Sequence, residues 1–379
     1  MTKIPSVRIY GLDTLRALAI LLVFMNHYML FVSGEPTFGF LGELGWTGVD
    51  LFFALSGYLI GNQIMAAIRS EQGFSLKNFY ARRLLRTVPN FYVVLALYAL
   101  FPYVRGSMQL PPLWKFLTFT QNIHLMPGTA FSHAWSLCVE EQFYMLLPAI
   151  ALLVAACRKS LLWAWVAIVA SLAAGMLTRS CLWSAHVDGA ADSGYQYYTL
   201  IYYSSLCRYD ELVAGVALAL LKNFHPAVWT RITSRGNWAL AAGAILLSVM
   251  YYLFLHDRMG YAMTVFGYPM LGVSFALLLI AALSPGSLLQ RTRVPGAASL
   301  ALWSYAIYLS HKQLCVLLSA QLKLVGIEPT MWSGVAIMSV ATLFGGWLLF
   351  RCVETPFMKL RDRYVPHNYA APEKRWAAA

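Results

Sequence analysis

The sequence predicts an all-α, polytopic integral membrane protein with about ten transmembrane helices and cytoplasmic N- and C-termini. Three observations carry this. Hydrophobic residues make up 59% of the 379-residue chain and charged residues only 12%, against about 25% charged in soluble domains. Mean hydropathy is +0.60. Apolar runs of about 18 residues or more, long enough to cross a bilayer as a helix, recur along the whole chain.

Taken in order, the apolar runs place spans at 15–33, 44–66, 87–104, 137–157, 161–178, 200–221, 237–255, 263–283, 299–321 and 331–352. The first run is too long for a signal peptide and lacks a small-residue cleavage site, so no cleavable leader is expected. The sixth is the most interrupted, by Arg208, Asp210 and Glu211. A stretch at 113–126 has three polar residues and flanking prolines, and it reads as re-entrant or interfacial. With the N-terminus inside, twenty Lys and Arg fall on the cytoplasmic side. Five (Arg105, Lys115, Arg179, Arg258 and Lys323) fall outside, and the remaining three of 28 (Arg16, Arg208 and Lys312) lie within spans. That asymmetry follows the positive-inside rule. It explains the net charge of +12 without nucleic acid, because basic loops suit an anionic leaflet or an anionic cytosolic ligand. Six scattered cysteines imply no disulfide framework. One transmembrane domain is expected over 1–363, with a short cytoplasmic tail over 364–379.

Polar residues inside these spans are costly, about 3 kcal/mol for a charge even on lenient insertion scales, and so mark sites. In the first span, Arg16 and His27 are eleven residues apart. At about 100° per residue they share one helix face, about 16 Å apart along the axis. A lone intramembrane histidine can simply bridge helices. A cation on the same face favours a cavity that ends in an imidazole able to take a proton from a hydroxyl. In the second span, Gly48, Ser56 and Gly57 suit close helix packing, whereas buried Asp50 can pair with a cation or a polar substrate. Before the third span stands Arg82-Arg83-Leu84-Leu85-Arg86. Arg83 and Arg86 are three apart and present two guanidinium forks together, the geometry that grips phosphate. Arg82 alone fits ordinary membrane anchoring.

The fourth span opens with Trp135-Ser136-Leu137-Cys138-Val139-Glu140-Glu141-Gln142-Phe143-Tyr144. Ser136, Glu140 and Tyr144 share a face at i, i+4 and i+8, with Glu141 about 100° round. A carboxylate here can orient an imidazole, hold a substrate hydroxyl or join a structural network. Arg208 and Glu211 are spaced to pair at i, i+3. His311, in Tyr308-Leu309-Ser310-His311-Lys312, lies at a depth similar to His27, as a second pocket histidine or a structural one. Glu354-Thr355-Pro356 closes the last span. No metal-ligand spacing, Walker loop, dinucleotide fingerprint or GxSxG elbow is present.

Together these blocks resemble acyltransferase family 3, membrane proteins that O-acylate bacterial envelope and secreted glycans. The resemblance runs from Gly11 to about Leu360. It rests on Arg16…His27, Gly48-Val49-Asp50-Leu51-Phe52-Phe53-Ala54-Leu55-Ser56-Gly57-Tyr58-Leu59-Ile60, the Arg82–Arg86 block, the Trp135–Tyr144 block and the closing motifs. Cys138 stands where serine is commoner, and Ser310 where an aromatic is frequent. The resemblance implies a bacterial inner-membrane enzyme. It implies an acyl-CoA donor, most often acetyl-CoA, at the cytoplasmic face and a glycan or glycolipid acceptor outside. It implies His27 as catalytic base and Arg16, Arg83 and Arg86 as residues needed for activity. Some relatives add an extracytoplasmic hydrolase-like domain, and this chain is expected to lack one.

Residues and resemblance give one expected mechanism. Arg83 and Arg86, with Arg82 beside them, receive the nucleotide phosphates of acyl-CoA. The acyl arm passes Arg16 to His27, with Glu140 or Glu141 supporting the imidazole or the acceptor. Asp50, Ser136, Tyr144, Arg208, Glu211 and His311 are expected to line the acceptor site. A proton-coupled secondary transporter also explains intramembrane charges. It does not explain the arginine fork, and the two halves show no inverted repeat.

Overall fold

A computed structural model describes residues 8–70, 74–156 and 161–366. Most of the expected tail, and the basic residues at 158–159, lie outside these described residues. The described chain is helical with no strand. The principal helices are α1 (Tyr10–Tyr28), α2 (Thr47–Arg69), α3 (Leu76–Leu100), α4 (Trp135–Ala156), α5 (Leu161–Leu182), α6 (Asp210–Phe224), α7 (Gly236–Asp257), α8 (Tyr268–Leu283), α9 (Ala297–Leu324), α10 (Trp332–Leu349) and α11 (Thr355–Tyr364).

Among the described residues, seven helical stretches are long and apolar enough to cross a membrane. An eighth qualifies if α6 and the helix Pro226–Thr233, bent by 113°, are one broken span. Seven of the ten predicted spans fall on these stretches. Two others fall on α3 and α9, which are long but diluted by Arg83, Arg86 and Asn90 and by Ser310, His311, Lys312 and Gln313. The span predicted at 200–221 is not one helix. A π-helical turn ends at Tyr202, a short 3-10 turn covers Ser205–Cys207, and α6 starts only at Asp210. The stretch at 113–126 holds one short helix, Leu113–Leu117, then irregular backbone with positive φ at Phe119 and His124. Gln142 and Asn122 satisfy part of that irregular chain. The Gln142 amide donates to the Phe119 carbonyl at 2.7 Å, and that of Asn122 to the Tyr203 carbonyl at 3.0 Å. Such backbone is tolerated at membrane depth only when protein surrounds it.

The core forms around α2 and the stretch Met263–Leu283, the most enclosed helices, while Leu161–Val187 is the most lipid-facing. α1 packs against α2, α8 and α9, and α2 packs closely on α6. Small residues permit these approaches, as membrane interfaces require. A Cβ on Gly48 would lie 2.4 Å from the Ala19 carbonyl oxygen of α1, and one on Gly57 would lie 2.0 Å from that of Leu212 on α6. Gly48 and Gly57 therefore pack as their composition indicates, whereas Ser56 reaches across to Glu140 at 2.9 Å. Because the obstruction at Gly57 is backbone, Gly57→Ala should destabilise the bundle toward the upper end of the roughly 1–3 kcal/mol typical of overpacking. The check is a lowered thermal midpoint in detergent; an unchanged midpoint would mean the two helices can slide apart freely.

Candidate active site

Two cavities open on opposite ends of α1. The first, of about 380 Å³, lies where α1, α2, α3, α4 and α9 converge, and is lined by Arg16, Arg83, Arg86, Ser56, Ser136, Glu140, Tyr144 and Tyr308 among others. The face shared by Ser136, Glu140 and Tyr144 thus exists and meets the three arginines. The second cavity is smaller, about 60 Å³, and includes His27, His133, Trp135 and Arg258 in its wall. Val49 lines both, so the cavities are separated by about one layer of side chains. In that layer the Tyr308 hydroxyl lies 2.6 Å from the Ser136 hydroxyl and donates to the His133 carbonyl at 2.7 Å.

In the first cavity the three arginines differ in their partners. The Arg83 Nε donates to Glu141 at 3.2 Å, its Nη2 lies 4.0 Å from Glu140, and its guanidinium stacks 3.9 Å over the Tyr144 ring. Arg16 and Arg86 have no carboxylate within 4.0 Å among the described residues. Neither guanidinium is held in a close ion pair, although the charges of Asp13 and Glu140 act on Arg16 and that of Glu354 on Arg86, so the cavity keeps two cations able to receive an anion. Arg82 does not line this cavity. It turns toward α11 instead, donating to Asp362 at 2.9 Å and the Val365 carbonyl at 2.6 Å.

Neither carboxylate reaches His27. Its Nδ1 instead lies 2.7 Å from Nε2 of His311, with the two rings coplanar to within 2°. The reason is helix length: Glu140 is seven residues past His133, so about 10 Å further along α4 and level with the arginines. The His311–His27 contact fixes proton positions. Nδ1 of His311 lies 3.0 Å from the Ile307 carbonyl and 2.9 Å from that of Tyr308. Carbonyls only accept, so in the neutral ring the proton sits on Nδ1 and Nε2 is bare. Nε2 then accepts from His27 Nδ1–H, which leaves the lone pair of His27 on Nε2, the tautomer a base needs. His311 therefore sits as the hydrogen-bond partner of His27.

His133 completes a ring cluster that sequence reasoning missed. Its ring centroid lies 6.0 Å from that of His27 and 5.7 Å from that of His311, and its Nε2 bonds the Leu309 carbonyl at 3.2 Å. Its signal was available, two residues before the Trp135 block. Lys312, also buried, places Nζ 3.3 Å from the Ser132 hydroxyl and 3.8 Å over the Phe31 ring. Among the described residues no His, Cys, Asp or Glu group is arranged to hold a metal ion.

Asp50, Arg208 and Glu211 form a separate buried layer. Arg208 pairs with Asp50 and not with Glu211, and also donates to the Tyr202 carbonyl at 3.2 Å. The i, i+3 spacing fails because Arg208 precedes the helix, at φ −135° and ψ 38°. Its guanidinium lies over Tyr268, Tyr202 and Trp135, at 4.3, 4.5 and 5.1 Å. Arg179, expected in an outer loop, lies inside α5 and binds both Asp210 oxygens at 2.6 and 3.0 Å, wholly buried. Breaking either pair would strand a buried charge, at about 3–5 kcal/mol, so both pairs read as scaffold.

Comparisons with known proteins agree with this arrangement. The family described as "Acyltransferase domain" matches residues 9–351. The peptidoglycan O-acetyltransferase OatA of Listeria monocytogenes is 27% identical over 371 residues, covering 92% of this chain and 56% of that protein. A putative peptidoglycan O-acetyltransferase, YrhL of Bacillus subtilis, is 27% identical over 373 residues, covering 91% of this chain and 54% of that protein. The O-acetyltransferase OatA of Staphylococcus aureus is 32% identical over 157 residues, 37% of this chain and 24% of that protein. This chain thus spans about half the length of the first two relatives. No solved structure matches it. With the family match running from the start of α1 through α10, and so across every residue that lines the two cavities, the chain belongs to acyltransferase family 3.

Proposed function

We propose that this protein moves an acyl group, most simply acetyl, from cytoplasmic acyl-CoA to a glycan hydroxyl on the far side of the bacterial inner membrane, with both termini cytoplasmic. The observation that carries the reading is a single helix face. It joins a cavity holding two arginines without a close ion-pair partner to a histidine whose free Nε2 lies about 16 Å further along. A transporter needs neither the arginine cradle nor an imidazole held in one tautomer. The relatives' names add the acceptor class, a peptidoglycan glycan.

In this reading Arg16 and Arg86 receive the nucleotide phosphates of the donor, while Glu141 and Glu140 hold Arg83 as the cavity's fixed wall. The pantetheine arm follows α1 past the Ser136–Tyr308 hydroxyl pair, which must part to admit it. His27 Nε2 takes the proton of the acceptor hydroxyl as that oxygen attacks the thioester carbonyl. The tetrahedral intermediate collapses, the carbon–sulfur bond breaks, and the leaving sulfur takes the proton from imidazolium. Products are the O-acyl glycan and free CoA thiol. Holding both substrates at one imidazole is the larger part of such catalysis.

The test is acetyl-CoA turnover by purified protein in lipid nanodiscs, followed as free thiol. Acceptor-stimulated thiol release supports the reading; folded protein that neither binds nor consumes acetyl-CoA overturns it in favour of a carrier. Arg16→Ala and Arg86→Ala should each raise KM for acetyl-CoA by about ten- to a hundredfold, from roughly 1.5–3 kcal/mol per charge-assisted hydrogen bond lost. Titrating acetyl-CoA at saturating acceptor measures it, and an unchanged KM in both variants would remove the arginines from the donor site.

A further inference from the structure

Arg258 follows the last turn of α7, at the end of the bundle where His27 lies, and lines the same cavity. Its guanidinium carbon stands 4.3 Å over the Trp46 ring, 5.2 Å over Tyr202 and 5.8 Å over Tyr198. The aromatic faces hold the cation in place, and no carboxylate lies within 4.0 Å of it among the described residues. Its Nε is buried with no hydrogen-bond partner. The contrast with its neighbours is informative: Arg208, which also lies over the Tyr202 ring, is neutralised by Asp50, and Arg179 by Asp210. Of these three cations near the outer layer, only Arg258 keeps its charge free.

A half-buried guanidinium that is fixed on π-faces and unpaired is a receptor for a planar or tetrahedral anion. The cavity, about 60 Å³, takes a substituent rather than a whole sugar, and Trp135, Tyr198, Tyr202 and Tyr203 give it an aromatic wall beside His27. We propose that Arg258 anchors an anionic substituent of the acceptor glycan, a carboxylate or phosphate, so that a neighbouring hydroxyl is presented to His27. The inference rests on the acyltransferase reading and adds the charge of the acceptor to it.

The probe is a β-1,4-linked disaccharide of N-acetylglucosamine and N-acetylmuramic acid, whose lactyl group carries a carboxylate, set against the same disaccharide with that carboxyl amidated. The readout is the ratio of kcat/KM for acetyl transfer to the two. The wild type should prefer the carboxylate form at least tenfold, and Arg258→Gln should bring the ratio to within twofold of one. Arg258→Lys should keep an intermediate ratio, because lysine retains the charge but not the planar fork. A wild-type ratio near one, or a ratio unchanged in Arg258→Gln, overturns the anion site. If Arg258→Gln does not fold, the wild-type ratio and that of Arg258→Lys decide. Absence of acetyl transfer to either disaccharide, with no thiol released from acetyl-CoA, overturns the acyltransferase reading itself, a result distinct from turnover without charge preference.

Discussion

Replacing His27 with alanine should abolish acceptor-dependent thiol release while leaving a folded protein. General base catalysis contributes about 10²- to 10⁴-fold, or about 3–5 kcal/mol of barrier. Alanine also removes the His27 Nε2 lone pair, which tautomer assignment leaves free beside the cavity, and leaves His133 Nδ1 as the other unpartnered ring nitrogen of the cluster. The fold should survive because His27 is only half-buried, its ring lying beside Phe31 at 5.5 Å and the other two histidines. α1 is held elsewhere, by buried Leu15, Ala19, Ile20 and Val23. The measurement pairs initial rates with a thermal midpoint and a donor-binding assay. A variant that folds, binds acetyl-CoA with wild-type affinity and turns over less than about a hundredth as fast fits a base. Near-normal turnover would reduce His27 to a helix-bridging residue.

Most of what a single helix decides was legible before the structure. Arg16 and His27 share a face of α1, and Ser136, Glu140 and Tyr144 share a face of α4, because 3.6-residue periodicity is a property of local sequence. The glycines that admit close helices were legible for the same reason. What neighbouring helices meet was not. Glu140 and Glu141 clamp Arg83 rather than an imidazole, since the level at which α4 crosses α1 depends on the turn at Ser132–Ala134 and on helix tilt, neither of which periodicity encodes. Arg208 chose Asp50 because the chain leaves α-helical geometry between Tyr203 and Tyr209, apart from a short 3-10 turn, so i, i+3 arithmetic has no meaning there. Arg179 was misplaced because hydropathy ends a span at its first arginine, whereas a bidentate carboxylate partner lets the helix continue. His133 and Arg258 stood outside the motif windows, at an α4 entry and an α7 exit where function concentrates.

These misplacements share a cause, and it sorts the charges of the protein. Several arginines found a close partner of opposite sign: Arg208 with Asp50, Arg179 with Asp210, Arg82 with Asp362 and Arg83 with Glu141. Arg16, Arg86 and Arg258, facing cavities, have no such partner. A membrane bundle tolerates an unpaired cation only where an anion or water reaches it. Two of the three lie together at one end of α1 and the third at the other, an arrangement that the proposed entry of donor and acceptor from opposite sides calls for.

His311 offers the sharper test of the proposed chemistry, because its role depends on His27. Held by two backbone carbonyls through Nδ1, it presents a bare Nε2 that fixes the His27 proton on Nδ1. His311→Phe keeps a planar ring in the cluster but removes that acceptor. The imidazole of His27 is then free to rotate or to carry its proton on the nitrogen that should be basic, and kcat should fall about tenfold or more, with KM for acetyl-CoA unchanged. His311→Gln should recover part of the loss, since its amide oxygen can accept from His27 Nδ1–H. The decisive measurement is the double-mutant cycle: His27→Ala with His311→Phe should be no slower than His27→Ala alone, as residues that act through one unit are strongly non-additive. A purely structural His311 predicts the opposite pattern. Its replacement would lower the thermal midpoint, its effect would add to that of His27→Ala, and glutamine would not restore kcat. Additive losses would therefore detach His311 from the base, and with it the argument that the pair of histidines sets the direction of proton transfer.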